Sequence, residues 1–164
     1  KPDPSYIYAI APDGKASVKV KFDKPTFPNG VVVEADGSIV WDESYTGHVQ
    51  RLRTDGTIED LGRMPGKNQP ILDGMAIAKD GSLLVTDLVG EGFHVLARDG
   101  TPKGFVRTGG CPTNLVFDGE TLWMTDASVL ASSAEPNYAG KLWKMHFPGG
   151  GAPNYRGSIK SRGM

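Results

Sequence analysis

Three tripeptides place oxygen-bearing side chains at corresponding points of a repeated pattern. They are Pro28-Asn29-Gly30, Leu72-Asp73-Gly74 and Pro112-Thr113-Asn114. In each, polar residues directly precede an apolar run, and Asn29 and Asp73 are 44 residues apart. An amide carbonyl, a carboxylate and a hydroxyl that converge on one point form an oxygen-rich site, which suits a hard cation such as Ca²⁺ or Mg²⁺. We therefore single out Asn29, Asp73 and Thr113 as candidate site residues.

Two of these residues also have a simple structural interpretation. Asn29-Gly30 and Asp73-Gly74 are pairs typical of tight turns, because glycine adopts positive φ at no steric cost and Asn and Asp tolerate it. Taken singly, each pair is explained by such a turn. Their equivalent positions in a repeat favour a shared site.

Asp-Gly pairs mark the repeat. They begin at residues 13, 36, 55, 73, 80, 99 and 118, most of them between apolar or alternating runs, which is typical of hairpin turns. Residues 13, 55 and 99 form one series and residues 36, 80 and 118 a second, each with a period of about 42 residues. Two interleaved series indicate a unit that contains two hairpin turns.

The aligned units predict four short antiparallel strands each, the first the most apolar and the fourth polar. Four strands in about 40 to 45 residues are typical of a β-propeller blade. We therefore predict an all-β fold, a partial β-propeller with about three and a half four-stranded blades of a six-bladed ring. A β-sandwich or a solenoid is the alternative for this composition.

The predicted organisation is a single partial propeller domain over residues 1–164. It has the outer half of one blade at 5–27, blades at 28–70, 71–110 and 111–155, and a tail at 156–164. Residues 128–139 are expected to be an insertion, and the run 149–151 is expected to be flexible. Propellers need at least about four blades to close. We therefore expect a C-terminal fragment of a larger propeller, whose open edges favour a homodimer of two half propellers.

Composition excludes several classes of protein. The formal net charge is -1 with no basic stripe, so we expect no nucleic-acid partner. No apolar run approaches the roughly 20 residues that span a bilayer, so we expect no membrane partner. The single cysteine, Cys111, excludes an internal disulfide. The lack of a signal peptide would favour the cytoplasm, but a chain expected to lack its N-terminus gives no information on location.

Other residues are interpreted as structural. Asp42, Asp87 and Asp126 each close the second strand of a unit, and a carboxylate that recurs in every unit is expected to accept local backbone N–H groups. His48 and His94 lie on third strands, far from the expected axis. No second ligand lies close to either histidine in the sequence, so no zinc motif is present.

Four segments, in this order and spacing, resemble successive motifs of the gluconolactonase, regucalcin and luciferin-regenerating-enzyme family. They are Phe27-Pro28-Asn29-Gly30-Val31, then Leu72-Asp73-Gly74-Met75-Ala76 with Gly81-Ser82-Leu83-Leu84-Val85, then Cys111-Pro112-Thr113-Asn114-Leu115-Val116-Phe117, and finally Gly140-Lys141-Leu142-Trp143-Lys144. The resemblance runs from about Tyr6 to Tyr155.

The resemblance implies a six-bladed propeller with one divalent metal in its central channel, and many family members hydrolyse lactones. On this basis Asn29 falls on a metal-ligand asparagine, and Asp73 on the ligand aspartate that is also the candidate general base. Thr113 and Asn114 fall on residues that line the substrate pocket. The family's glutamate ligand, from the first blade, has no counterpart in this sequence.

The function expected from the resemblance is metal-dependent hydrolysis of a small lactone or sugar-acid substrate, with Asp73 as the catalytic residue. Ca²⁺ is the favoured metal, and Mg²⁺, Zn²⁺ and Mn²⁺ are alternatives. A non-catalytic propeller, either a binding scaffold or a calcium-binding protein, is the competing interpretation. Phosphotriester hydrolysis or a strictosidine-synthase-like condensation on the same fold is a third, although a metal-ligand Asp73 disfavours the condensation.

Overall fold

The computed structural model describes residues 4–66, 69–128 and 140–153, and all regular structure in these ranges is β-strand. The thirteen strands are β1 (Ser5–Ile10), β2 (Ala16–Phe22), β3 (Pro28–Val33), β4 (Ile39–Glu43), β5 (His48–Leu52), β6 (Ile58–Arg63), β7 (Leu72–Ile77), β8 (Leu83–Asp87), β9 (Gly92–Leu96), β10 (Pro102–Arg107), β11 (Pro112–Asp118), β12 (Thr121–Asp126) and β13 (Lys141–His146). No helix that could cross a membrane occurs in these ranges.

The strands form four antiparallel sheets in chain order. Strands β3 to β6 and β7 to β10 form two four-stranded sheets, β11 to β13 form a three-stranded sheet, and β1 pairs with β2. The first strands β3, β7 and β11 lie beside one another. This arrangement confirms the predicted partial propeller. Most of the predicted insertion, at 129–139, and the predicted tail at 156–164 lie outside the described residues.

Apolar side chains fill the space between neighbouring sheets. One buried cluster joins the two four-stranded sheets and contains Val40, Val49, Leu61, Met64, Leu72, Met75, Leu83, Val85 and Leu96. A second cluster joins the β7–β10 sheet to the three-stranded sheet. Because β8 has a packed sheet on each side, all five of its residues are buried. The core therefore holds successive sheets in a fixed relation, which fixes the positions of their first strands.

The Asp-Gly pairs close hairpins as predicted at five places. The carboxylates of Asp13, Asp36, Asp55, Asp80 and Asp99 each accept a hydrogen bond from the backbone N–H two residues later, at 2.8 to 3.0 Å. The glycine that follows each Asp has a φ between 84° and 89°, which glycine adopts without strain. The pair at Asp73 is different, because both of its residues belong to β7.

A mutation in one of these turns tests their acid sensitivity. The hydrogen bond from the Ser82 backbone, and then Lys103, hold the pKa of Asp80 at about 2, below the value of about 3.9 in an unfolded chain. This contribution is complete above pH ~4 and is lost as the pH falls toward 2. We expect Asp80→Asn to lower the free energy of unfolding at pH 7 by less than about 1 kcal/mol, since the carboxylate is exposed. In urea titrations, the free energy of unfolding of Asp80→Asn should then fall less steeply than that of the wild type as the pH drops below 4.

Asp118→Asn is the matched control for that experiment. Asp118 also precedes a glycine, is exposed, and accepts no hydrogen bond from the described residues. Equal pH dependence in the two variants would show that the turn hydrogen bond does not contribute to acid unfolding.

The glycine run at 149–151 is ordered, so the prediction of a flexible segment is wrong there. The Gly150 carbonyl accepts the Lys79 N–H at 2.9 Å, and the Ala152 N–H donates to the Ile77 carbonyl at 2.9 Å. A side chain at residue 151 would overlap Phe117. The run therefore crosses the ends of the inner strands, where only glycine fits against the aromatic ring.

A buried ion-pair network joins the first two four-stranded sheets. Both oxygens of Glu34 accept hydrogen bonds from Arg51 at 2.8 and 3.0 Å and from Arg98, in the next sheet, at 3.0 and 3.1 Å. Arg51 also donates to Glu59 at 3.0 Å and to the Arg98 carbonyl. Only 2% of the Arg51 side chain and 5% of the Glu34 side chain are exposed. The network is a polar link in an otherwise apolar contact between sheets.

Candidate metal and substrate site

Each inner strand begins with a β-bulge, and the bulges carry the candidate site residues. Pro28 pairs with Glu43 but Val31 pairs with Trp41, so Asn29 and Gly30 together oppose the single residue Asp42. The same shift places Asp73 in the bulge of β7 and Thr113 in the bulge of β11. Bulges redirect side chains and are common beside active sites. They explain how residues at the start of a strand can turn toward a common point.

Neighbouring bulges are in close contact at Gly30 and Gly74, where a larger residue would overlap the next bulge. A Cβ atom on Gly30 would lie 2.8 Å from the Asp73 carbonyl oxygen and would also overlap Asp42. A Cβ atom on Gly74 would lie 2.5 Å from the Thr113 carbonyl oxygen and 2.6 Å from the Cα of Asn114. The structure therefore brings the start of β3 against Asp73, and the start of β7 against Thr113 and Asn114.

Gly74→Ala should separate two of these bulges. The added methyl group would meet the Thr113 backbone, which cannot move away as a side-chain end could. We expect a loss of about 1–3 kcal/mol in the free energy of unfolding, as for other overpacking mutations. Chemical denaturation would measure it. The control is Gly104→Ala, since a methyl group on Gly104 would meet no atom within 4 Å and the residue has no positive φ; equal losses would contradict close packing at Gly74.

The Asn29 side chain is held by hydrogen bonds. Its Nδ2 donates to Ser44 Oγ at 3.3 Å, and the Ser44 hydroxyl donates to the Leu72 carbonyl at 2.5 Å. The amide also interacts with the Asp73 carboxylate and lowers the pKa of that group. These contacts use the amide nitrogen as donor and leave Oδ1 as the oxygen that can face a cation.

Asp73 is half-buried, and its burial controls its proton affinity. Desolvation raises the pKa of its carboxyl, and the hydrogen-bonding contact with Asn29 opposes this rise in part. A raised pKa brings a carboxylate closer to neutral pH, where it is a stronger general base. Asp73 can therefore either accept a proton or, with Asn29, offer oxygen to a cation.

Thr113 and Asn114 make mostly local contacts. The hydroxyls of Thr113 and Thr125 are 2.7 Å apart, and Asn114 Oδ1 accepts the N–H of Leu115 at 2.8 Å. Asn114 also lines an open groove of about 350 Å³ with Trp123 and other residues. Both residues adjoin Asp73 through the Gly74 contact.

Strand pairing corrects the grouping of Asp42 with Asp87 and Asp126. Asp87 pairs with Leu72 and Asp126 pairs with Pro112, whereas the residue that pairs with Pro28 is Glu43. The Asp42 position corresponds instead to Thr86 and Thr125, one residue earlier. The 44-residue spacing that relates Asn29 to Asp73 likewise relates Glu43, and not Asp42, to Asp87. The grouping followed the shared residue type instead of this spacing.

The structural interpretation is correct for two of these three aspartates. Asp87 accepts backbone N–H groups at 3.3 and 3.0 Å, and Asp126 accepts two at 2.9 and 2.8 Å. It is wrong for Asp42, which has no exposed surface and neither of whose oxygens has a hydrogen-bond partner among the described residues. Burial, with smaller contributions from the charges of Asp73 and Glu43, raises the pKa of Asp42 to about 8, while the nearby Gly30 N–H opposes the rise.

The residues at the bulges fit a hard divalent cation. Asn29 and Asp73 offer an amide oxygen and a carboxylate, which are ligands that Ca²⁺ and Mg²⁺ prefer. Asp42 adds a buried carboxylate without a partner, which a nearby cation would compensate. No group of three or more His, Cys, Asp and Glu side chains in the described ranges is arranged to bind a metal. A cation at this place would therefore be held by a mixed set of ligands, carboxylates together with the Asn29 amide oxygen.

A larger cleft of about 670 Å³ lies elsewhere, beside His94 and Asp87. His94 Nε2 is 3.4 Å from Asp87 Oδ2. At the equivalent place in the next sheet, Trp143 Nε1 donates to Asp126 Oδ2 at 2.9 Å. Because an indole supports the carboxylate there, His94 serves the same structural contact, and the pair does not indicate a catalytic dyad.

Comparison with proteins of known structure shows the same architecture. The chain matches a luciferin-regenerating enzyme at 17% identity and a TM-score of 0.74, over 92% of this chain and 54% of that one. A calcium-binding protein, regucalcin, from Agrobacterium tumefaciens matches at 18% identity and a TM-score of 0.71, over 85% and 51%. A putative gluconolactonase matches at 28% identity and a TM-score of 0.59, over 73% and 41%.

The chain thus spans about half the length of these structures. No protein of curated function matches its sequence. Residues 1–128 match the family model described as the SMP-30/gluconolactonase/LRE-like region, which confirms the family indicated by the sequence motifs. The chain belongs to the SMP-30, gluconolactonase and luciferin-regenerating-enzyme family.

Proposed function

We propose that the protein is a metal-dependent hydrolase of small lactones. The observation that carries this proposal is that Asn29 and the half-buried Asp73 lie at adjoining bulges, near enough for the Asn29 amide to lower the pKa of the Asp73 carboxyl. Asn29 supplies a neutral amide oxygen, and Asp73 supplies a carboxylate whose pKa is raised by burial. Together they provide two ligands for a cation and one proton acceptor.

In the proposed reaction Asp73 is the general base. A divalent cation bound by Asn29 and Asp73 would polarise the lactone carbonyl and lower the pKa of water. The Asp73 carboxylate accepts a proton from the attacking water, whose oxygen bonds to the carbonyl carbon. The ring carbon–oxygen bond then breaks, and the leaving alkoxide takes the proton back from Asp73 to give the hydroxy acid. Asn29 holds Asp73 in place through its amide.

The substrate is proposed to be a lactone or sugar acid that contacts Thr113 and Asn114. Further along the same inner strands lies an apolar cavity of about 270 Å³, lined by residues of β3, β7 and β11. Asn29 also lines a smaller space of about 190 Å³ next to β1. Both spaces suit compact substrates rather than polymers.

A lactone panel tests the proposal. The chain is stripped with EDTA, supplied in turn with Ca²⁺, Mg²⁺, Mn²⁺ or Zn²⁺, and assayed for acid release. Cation-dependent hydrolysis is expected. The mass of the protein in solution is measured in parallel by light scattering. A homodimer of two half propellers would place two copies of Asn29 and Asp73 around one channel.

The second candidate function is calcium binding without turnover. It is favoured by the same oxygen pair, because Asn29 and Asp73 can bind a cation without either acting as a base. One of the similar structures is itself described as a calcium-binding protein. Saturable Ca²⁺ binding together with no hydrolysis of any lactone in the panel would support this function over the lactonase.

A further inference from the structure

In two of the three sheets a threonine opposite the bulge contacts the bulge through its hydroxyl. In β8, Thr86 Oγ1 accepts the Gly74 N–H at 2.8 Å and also lies 3.3 Å from the carbonyl oxygens of Gly74 and Thr113. One hydroxyl therefore joins the bulge of its own sheet to the bulge of the next. In β12, Thr125 has the corresponding position and its hydroxyl contacts Thr113.

Asp42 replaces this hydroxyl in the sheet that carries Asn29. It opposes Asn29 and Gly30 in the strand pairing, and its carboxylate lies against the Cα of Gly30 and toward the Asp73 carbonyl. Unlike Thr86, it has no hydrogen-bond partner for either oxygen among the described residues, although it has no exposed surface. A carboxyl group in such a place becomes ionised at neutral pH only where a positive charge accompanies it.

Other groups around Asp42 do not supply that charge. Glu43 and Asp73 add negative charge, and the Gly30 N–H is only a weak dipole. The arginines of the buried network bind Glu34 and Glu59 instead. A cation held by Asn29 and Asp73 would supply that charge, because the Asp73 carbonyl and the Asp42 carboxylate both lie beside Gly30.

We propose that Asp42 is a further oxygen ligand of the site, which supplies the second carboxylate to the cation held by Asn29 and Asp73. The inference rests on the proposed function for the presence of a cation, and adds a ligand that neither the motifs nor the threonines of the other two sheets would indicate. Two carboxylates and an amide would balance the charge of a divalent ion without help from residues elsewhere.

Asp42→Thr tests the proposal, because Thr86 shows that the fold accepts threonine at this place. We expect its Ca²⁺ affinity, measured by isothermal titration calorimetry, to fall by on the order of tenfold or more. In EDTA its Tm should equal or exceed that of the wild type, since a hydroxyl replaces a buried carboxylate without a donor. The rise in Tm caused by Ca²⁺ should shrink. A purely structural residue would not lower the affinity while preserving Tm in EDTA.

Three further variants make the outcome decisive. Asp42→Asn keeps the shape of the side chain and should also lose Ca²⁺ affinity. It therefore tests the role of Asp42 even if Asp42→Thr fails to fold. Asp60→Thr removes one negative charge from β6, outside the site, and should bind Ca²⁺ as the wild type does. Asp73→Asn is the reference for the proposed site.

The results separate the two proposals. Wild-type affinity in Asp42→Thr together with weakened binding in Asp73→Asn would overturn the role of Asp42 and leave the proposed site intact. A wild-type chain that shows no saturable Ca²⁺ binding would overturn the cation site and, with it, the role of Asp42.

Discussion

Asp73→Asn is expected to lower kcat/KM for lactone hydrolysis by a factor on the order of 10² to 10⁴, the usual contribution of a positioned general base. The substitution keeps the size and the hydrogen-bonding capacity of the side chain but removes its charge and its affinity for a proton. The Gly74 contact with the next bulge does not involve this side chain, so the fold should be retained.

The two roles of Asp73 can be separated by the cation concentration. If the carboxylate acts only as a ligand, raising the cation concentration to saturation should restore kcat. If it also accepts the proton from water, kcat stays low at saturation. We expect the second result, because burial raises the pKa of Asp73 toward the range in which a carboxylate is an effective base.

Asp118→Asn is the matched control for this experiment too. It makes the same chemical change at the other end of an inner strand, where the carboxylate is exposed and accepts no hydrogen bond from the described residues. It should hydrolyse lactones as the wild type does. Full activity in Asp73→Asn would refute the assignment of the base, and equal losses in both variants would indicate a general effect of charge.

The fold was predictable because its period is long and regular. The Asp-Gly pairs recur in two series, and the turn chemistry of Asp36, Asp55, Asp80 and Asp99 is local, so each pair indicates its hairpin without knowledge of the rest of the chain. The glycine run at 149–151 misled the prediction, because its order depends on Phe117, which is remote in sequence.

The site was predictable only in part. The equivalence of Asn29, Asp73 and Thr113 followed from the repeat, and the structure places their bulges in contact. Asp42 is missed because the second strands are matched on their shared aspartate, whereas the 44-residue repeat spacing matches Asp42 to Thr86. An acidic residue where the next two sheets have threonine is a sequence signal, but it becomes visible only in the correct register.

The buried network around Arg51 predicts the largest change in stability. Arg51→Met should lower the free energy of unfolding by about 3 kcal/mol, the lower end of the cost of breaking a buried ion pair, because Glu34 keeps only the half-exposed Arg98 as its partner. Denaturation in urea or guanidinium chloride would measure this loss. Glu34 would retain Arg98, but two of its hydrogen bonds and the donor to the Arg98 carbonyl would be lost.

Arg53→Met is the control, because Arg53 binds the same partner, Glu59, at 2.6 Å but has a side chain that is 42% exposed. An exposed pair contributes about 0–1 kcal/mol and weakens in salt, whereas the Arg51 effect should persist at high ionic strength. Similar small losses in both variants would mean that the apolar clusters alone join the sheets. Replacing Arg51 and Glu34 together by apolar residues should recover much of the loss, because the cost comes from an isolated buried charge rather than from the absence of the pair.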